Sequence, residues 1–124
     1  MNIGVVVLAA GQGTRMRSAL PKVVHPLAGR PMIGWVLDAL GSAGATSTVV
    51  VVGYGADAVR EALPPGVVAA VQESQRGTGD AARVGLKALD PACDTVVLAC
   101  GDTPLLEPAL VRLLVERHGS GDRV

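Results

Sequence analysis

This chain contains no phenylalanine and only one tryptophan and one tyrosine. A core without large rings must be filled by small branched side chains, which suits buried parallel strands covered by helices. Net charge is absent too, since eleven basic residues balance eleven acidic ones. No overall field therefore draws nucleic acid or an anionic membrane, and a polyanion has to be captured by placed groups. No apolar run approaches the roughly 20 residues needed to span a bilayer. The chain enters an apolar strand directly after Met1 and Asn2, without the basic leader and cleavage site of a secretory signal, so a cytoplasmic location is expected. Its two cysteines, Cys93 and Cys100, flank one expected strand and lie roughly 20 Å apart if that strand is extended. A disulfide needs alpha carbons within about 7 Å, so both are expected to be free thiols.

What is present is an alternation. The 124 residues suffice for one domain with a core and are too few for two of ordinary size. Ile3 to Ala9 reads as a strand buried on both faces. Pro31 is expected at the first position of a helix whose inner face carries Met32, Val36, Ala39, Leu40 and Ala43, with Gly44 as its stop. Thr48 to Val52 is a second strand, Tyr54-Gly55 its turn, and Ala56 to Leu63 a short helix ending at two prolines. Val67 to Val71, a helix from Asp80 to Leu89, Thr95 to Ala99 and a helix from Glu107 to His118 complete the order. Leu110, Leu113, Leu114 and Arg117 are the expected inner stripe of the last helix. Strands alternating with such helices imply an α/β fold with a mostly parallel sheet.

In an open parallel sheet, ligands bind beyond the carboxyl ends of the strands. Three of the four expected strands end in polar or glycine-rich chemistry. After the first comes LAAGQGTRMRSALPK, where Gly11 and Gly13 allow a tight turn and close approach of backbone N–H groups to an anion. The third glycine of the dinucleotide fingerprint is replaced by Met16, and the G-x-x-x-x-G-K-[ST] phosphate loop is absent, so neither of those binding modes is expected. Arg15 and Lys22 could be ordinary solvated cations, but their place beyond a buried strand favours phosphate contact. Pro21 stiffens the chain before Lys22, arginine offers a planar fork, and lysine supplies a compact charge.

After the third strand, Gln72, Gln75, Gly77, Thr78 and Gly79 read either as a polar loop with Thr78 or Asp80 capping a helix, or as a base-reading segment. A glutamine amide carries a donor and an acceptor and matches the N–H and carbonyl of uracil. After the fourth strand, Asp102 follows Gly101 and is either the cap region of the last helix or a magnesium ligand. The second role is favoured, because magnesium takes one or two carboxylates together with phosphate oxygens. His25 and His118 are assigned no chemistry.

The segments LAAGQGTRMRSALPKVVHPLAGRPM, QRGTGDAARVGL and ACGDTPLL resemble, in order and spacing, the sugar nucleotidyltransferases. VVHPLAGRPM points to their bacterial bifunctional uridylyltransferase–acetyltransferase branch. The resemblance implies a Rossmann-like, GT-A-like nucleotidyltransferase fold. It also implies a reaction of UTP with N-acetylglucosamine 1-phosphate that gives UDP-N-acetylglucosamine, a cell-envelope precursor, and pyrophosphate. By that likeness Leu8, Ala9, Ala10, Gly11, Gly13 and Thr14 line the nucleotide, and Gln72 with Gln75, Gly77 and Thr78 serves the base. Arg15 and Lys22 are the catalytic cations, Cys100 and Gly101 lie beside the ribose and sugar, and Asp102 holds Mg2+. The family often has a larger residue where Cys100 stands.

The family's nucleotidyltransferase domain is about twice this long, and a β-helix acetyltransferase domain, through which the full-length relatives form trimers, follows it. Residues 1–124 are thus expected to be the nucleotide-binding half, to lack the sugar-binding half, to leave one sheet edge uncovered and to be inactive alone. Two alternatives belong to other classes: a non-catalytic nucleotide-binding module, and a nucleotidyltransferase using CTP or GTP.

Overall fold

A computed structural model describes residues 2–10, 21–53, 56–74 and 76–121. In chain order these form β1 (Ile3–Ala9), a 3-10 turn (Lys22–Val24), β2 (Pro26–Leu27), β3 (Arg30–Pro31), α1 (Met32–Ser42), β4 (Ala45–Val52), α2 (Ala56–Glu61), β5 (Val68–Val71), α3 (Thr78–Ala88), β6 (Thr95–Cys100) and α4 (Pro108–Gly119). The main sheet has the order β5-β4-β1-β6, and its pairings are all parallel. The expected α/β architecture is therefore present, with the strand bounds displaced by at most a few residues.

The valine runs of β1 and β4 alternate between two cores. Val5, Val7, Val50 and Val52 pack with Ile33, Val36 and Leu40 of α1 and Val111 of α4. Val6, Val49 and Val51 face the other way, toward Ala81 and Leu89. Burial on both faces is why these strands read as unbroken apolar runs rather than as alternating ones. Gly85 sets how closely α3 approaches: a Cβ there would collide with side-chain carbons of Val6 and Val51.

Three expectations change. Pro31 is the residue before α1, not its first helical residue, with φ −55° and ψ 143°, and α1 buries Ile33 and Leu37 while Met32 is only half-buried. In α4 the buried positions are Val111 and Val115, whereas Leu110, Leu113 and Leu114 are exposed. That helix carries two apolar stripes, and packing against α1 selects the valine one; Arg112 fixes the choice by donating to the Ser42 carbonyl at 3.1 Å. Finally, α3 starts at Thr78 behind Gly77 (φ 91°, ψ 178°) with no side-chain cap, so neither Thr78 nor Asp80 is the cap. A glycine meets the positive φ without strain.

A two-residue hairpin, absent from the expected elements, joins β2 to β3, with Ala28 at φ 51° and Gly29 at φ 83°. Positive φ at both central residues gives the twist a tight hairpin needs. Trp35 of α1 holds it by donating its indole N–H to the Leu27 carbonyl at 2.8 Å, and Arg30 stacks 4.6 Å above that ring. One uncovered sheet edge is expected, and among the described residues both end strands, β5 and β6, pair on one side only. Val97 and Ala99 pack on the core, while Val96 and Leu98 on the opposite face are exposed, because α3 lies across β1, β4 and β5. Cys93 and Cys100 are free thiols, and no helix among the described residues is long and apolar enough to cross a membrane.

Candidate nucleotide site

A cavity of about 340 Å³ opens beyond the carboxyl ends of the strands, where parallel-sheet topology leads a ligand site to be sought. Leu8, Ala9 and Ala10 wall it at the end of β1. Gln72, Gly77 and Thr78 enter from the segment between β5 and α3, Cys100 and Asp102 from the end of β6, and Lys22 from the 3-10 turn. Gly101 is not part of the wall but lies behind it, donating its N–H to the Leu8 carbonyl at 3.0 Å. It lets Val23 come close, for a Cβ at Gly101 would sit 3.0 Å from Val23 Cγ1. Gly11, Gly13, Thr14, Arg15 and Gln75 lie outside the described residues.

Val23 and Ala81 also line the cavity and were not singled out from sequence. The signal for Ala81 was its place on the sheet-facing side of α3. That for Val23 was its place between a fixed proline and the hairpin. A larger hollow of about 620 Å³ lies on the α1 side, bounded by Arg30, Asp38, Thr48 and Leu63 among others. Arg30 and Asp38 form a loose 4.0 Å pair there, and that hollow receives none of the strand-end groups.

Two polar ends differ in construction. At one, Lys22 Nζ lies 3.5 Å from Asp102 Oδ2, with the side chains 47% and 42% exposed. The lysine is held from behind: Pro21 is fully buried, Val23 is buried, and the turn closes through Val24 N–H to Pro21 O at 3.2 Å and His25 N–H to Lys22 O at 3.0 Å. Pro21 thus anchors the backbone immediately before Lys22. Asp102 is not a cap, since the N-cap of α4 is Glu107. Among the described residues no group of three or more His, Cys, Asp or Glu could hold a metal ion. A single carboxylate of this kind fits magnesium bound jointly with phosphate oxygens, not an all-protein cage.

At the other end, Gln72 is only 6% exposed. Its backbone N–H extends the sheet, donating to Val52 O at 2.8 Å. Its amide nitrogen donates to Asp80 Oδ2 at 2.9 Å and, more weakly, to Gly77 O at 3.5 Å. Arg83 in turn donates to Asp80 Oδ1 at 2.8 Å. The Arg83 hydrogen bond, then that of Gln72, holds the Asp80 carboxyl below its usual value, and Arg76 adds to this.

The family model of the MobA-like NTP transferase domain matches residues 5–124. The bifunctional protein GlmU of Sorangium cellulosum is 50% identical over 125 residues, a match that takes 95% of this chain and 26% of the relative. The chain thus spans about a quarter of the length of the curated relatives it matches, in their N-terminal part. Among solved structures, Rv0371c of Mycobacterium tuberculosis aligns with a TM-score of 0.84 at 31% identity, over 96% of this chain and 61% of that one. A manganese complex of the same protein aligns at 0.80 and 30%, over 97% and 61%. A nucleotidyl transferase from Methanothermobacter gives 0.83 and 30%, over 93% and 57%.

Proposed function

The chain belongs to the MobA-like NTP transferase domain family, and from that premise we propose that it is the nucleotide-binding half of a UTP:N-acetylglucosamine-1-phosphate uridylyltransferase. The observation that carries this reading is the cavity itself. It joins Lys22 and Asp102, distant in sequence, at one end and sets the buried Gln72 amide at the other. That is the layout for a molecule with a polar base and a polyphosphate tail. The likeness to GlmU supports the choice of UTP and of N-acetylglucosamine 1-phosphate, and with them a role in cell-envelope precursor synthesis.

The chemistry needs no covalent enzyme intermediate. A sugar-phosphate oxygen attacks the α-phosphorus in line and pyrophosphate departs, so positioning and charge neutralisation supply the rate. Leu8, Ala9 and Ala10 offer a flat apolar wall to the nucleoside, and Gln72 reads the base. Lys22 leaves Asp102 for a phosphate oxygen, and Arg15 is assigned to the same phosphates from its place in the glycine-rich segment. Asp102 would hold Mg2+, which when bound neutralises triphosphate charge. The sugar-binding groups belong to the remainder of the nucleotidyltransferase domain, so residues 1–124 alone bind nucleotide without turning it over.

Calorimetric titration of the chain with UTP, CTP and GTP, with and without Mg2+, tests the reading. UTP is expected to bind most tightly and to need the cation. Equal affinity for the three nucleotides would sink the uridylyl assignment. Pyrophosphate released from UTP and N-acetylglucosamine 1-phosphate by the 124 residues would refute the division of labour.

A further inference from the structure

The Gln72 amide is not free to choose which of its ends it shows a ligand. A carboxylate and a carbonyl can only accept hydrogen bonds. The atom of Gln72 that lies 2.9 Å from Asp80 Oδ2 and 3.5 Å from Gly77 O must therefore be the NH2 group. With both amide hydrogens directed into the protein, what remains to meet a ligand is the carbonyl oxygen, an acceptor. Asp80 is in turn anchored by Arg83 at 2.8 Å, and its side chain is only 17% exposed. Gly77, at φ 91°, turns its carbonyl to the same NH2 group.

We infer that Asp80, oriented by Arg83, is a positioning residue that fixes the polarity of Gln72 and thereby sets base selectivity. It touches neither phosphate nor sugar; it acts through Gln72. An acceptor at that place pairs with a base edge that presents a ring N–H, as uracil does at N3. Cytosine has a lone pair at N3, so it would set two acceptors against each other beside a buried amide, an arrangement that discriminates against it. The specificity is thus carried by a carboxylate lying behind the residue that makes the contact. This inference rests on the uridine reading above and adds to it the group that enforces it.

Asp80→Asn is the informative substitution. Asparagine keeps the size but can donate, so Gln72 becomes able to turn its amide over and offer NH2 to cytosine N3. The measurement is the ratio of UTP to CTP affinity by titration calorimetry with Mg2+ present, with circular dichroism confirming the fold. The ratio is expected to fall about tenfold, mainly through tighter CTP binding. Asp80→Glu, which keeps an acceptor-only group, is expected to retain more of the preference than Asp80→Asn does. A role confined to stability would shift both affinities together and leave the ratio unmoved. Arg83→Met leaves the carboxylate in place without its anchor and gives an independent variant should Asp80→Asn fail to fold; a fall of about threefold is expected. A preserved ratio in the folded variants, with UTP still preferred by the unsubstituted chain, overturns the positioning role alone. No preference in the unsubstituted chain removes the uridine reading and this inference with it.

Discussion

The two ends of the cavity solve recognition differently. At the Gln72 end the amide itself is buried and already hydrogen-bonded to Asp80, whose side chain is 17% exposed and is held in turn by an exposed Arg83. At the other end Lys22 and Asp102 are roughly half exposed and, among the described residues, meet each other across 3.5 Å. A buried amide in a fixed orientation can refuse a wrong partner, because a mismatched group there loses its water and gains nothing. A half-solvated ion pair cannot refuse much, but it can exchange partners at little cost. Selectivity is therefore assigned to the buried end and affinity for charge to the open one.

Substitutions at each end should separate these properties. Lys22→Ala is expected to have the largest effect, weakening UTP binding on the order of a hundredfold while leaving the UTP-to-CTP ratio intact. Its melting temperature should hardly move, because an exposed pair of this kind contributes about 0–1 kcal/mol. An unchanged affinity by calorimetry would remove Lys22 from the phosphate site. Gln72→Ala should do the reverse, lowering the ratio by about tenfold or more and leaving the triphosphate contribution in place. If CTP and UTP fell equally, the base-reading role would be lost.

Smaller effects sharpen the contrast. Gly85→Ala lies outside the cavity but drives a methyl into Val6 and Val51. It should destabilise the fold by about 1–3 kcal/mol in denaturant unfolding, with the nucleotide ratio unchanged. Full stability in that variant would mean that α3 can lift from the sheet. Acidification should affect the buried end least. The Asp80 carboxyl titrates below its ordinary value of 3.8, so its stabilising contacts are complete above that value and lost only as pH falls through the lowered one. From about pH 8 down to about pH 6, above the range in which cytosine N3 itself takes up a proton, the UTP-to-CTP ratio should stay flat. A ratio that falls within that window would show that another group sets the polarity of Gln72.

How much of this was legible in the residues follows the same division. The bounds of β1, the parallel architecture and the strand-end placement of Leu8, Lys22, Gln72 and Asp102 follow from apolar runs and from the punctuation around them. The stripe of α4 did not, because leucine and valine stripes coexist on one helix and only the packing partner decides between them. The hairpin was hidden because Ala28-Gly29 lacks the asparagine or aspartate that usually marks positive φ. From the residues alone Asp80 stands only beside Thr78 as a possible cap of the helix. Its hydrogen bond to Gln72 depends on how the turn after β5 folds back, which no periodicity encodes.

The pairing of Lys22 with Asp102 has a kinetic consequence. Before a ligand arrives, the two charges cancel over 3.5 Å in a chain whose formal net charge is zero. This pair therefore presents the approaching triphosphate with a dipole instead of a beacon. The full positive field of the lysine appears only once the aspartate has another partner to hold. Such a pair does little to steer an anion from a distance. Its influence is felt after contact, in how slowly the nucleotide leaves and how strongly cation and nucleotide favour each other's residence.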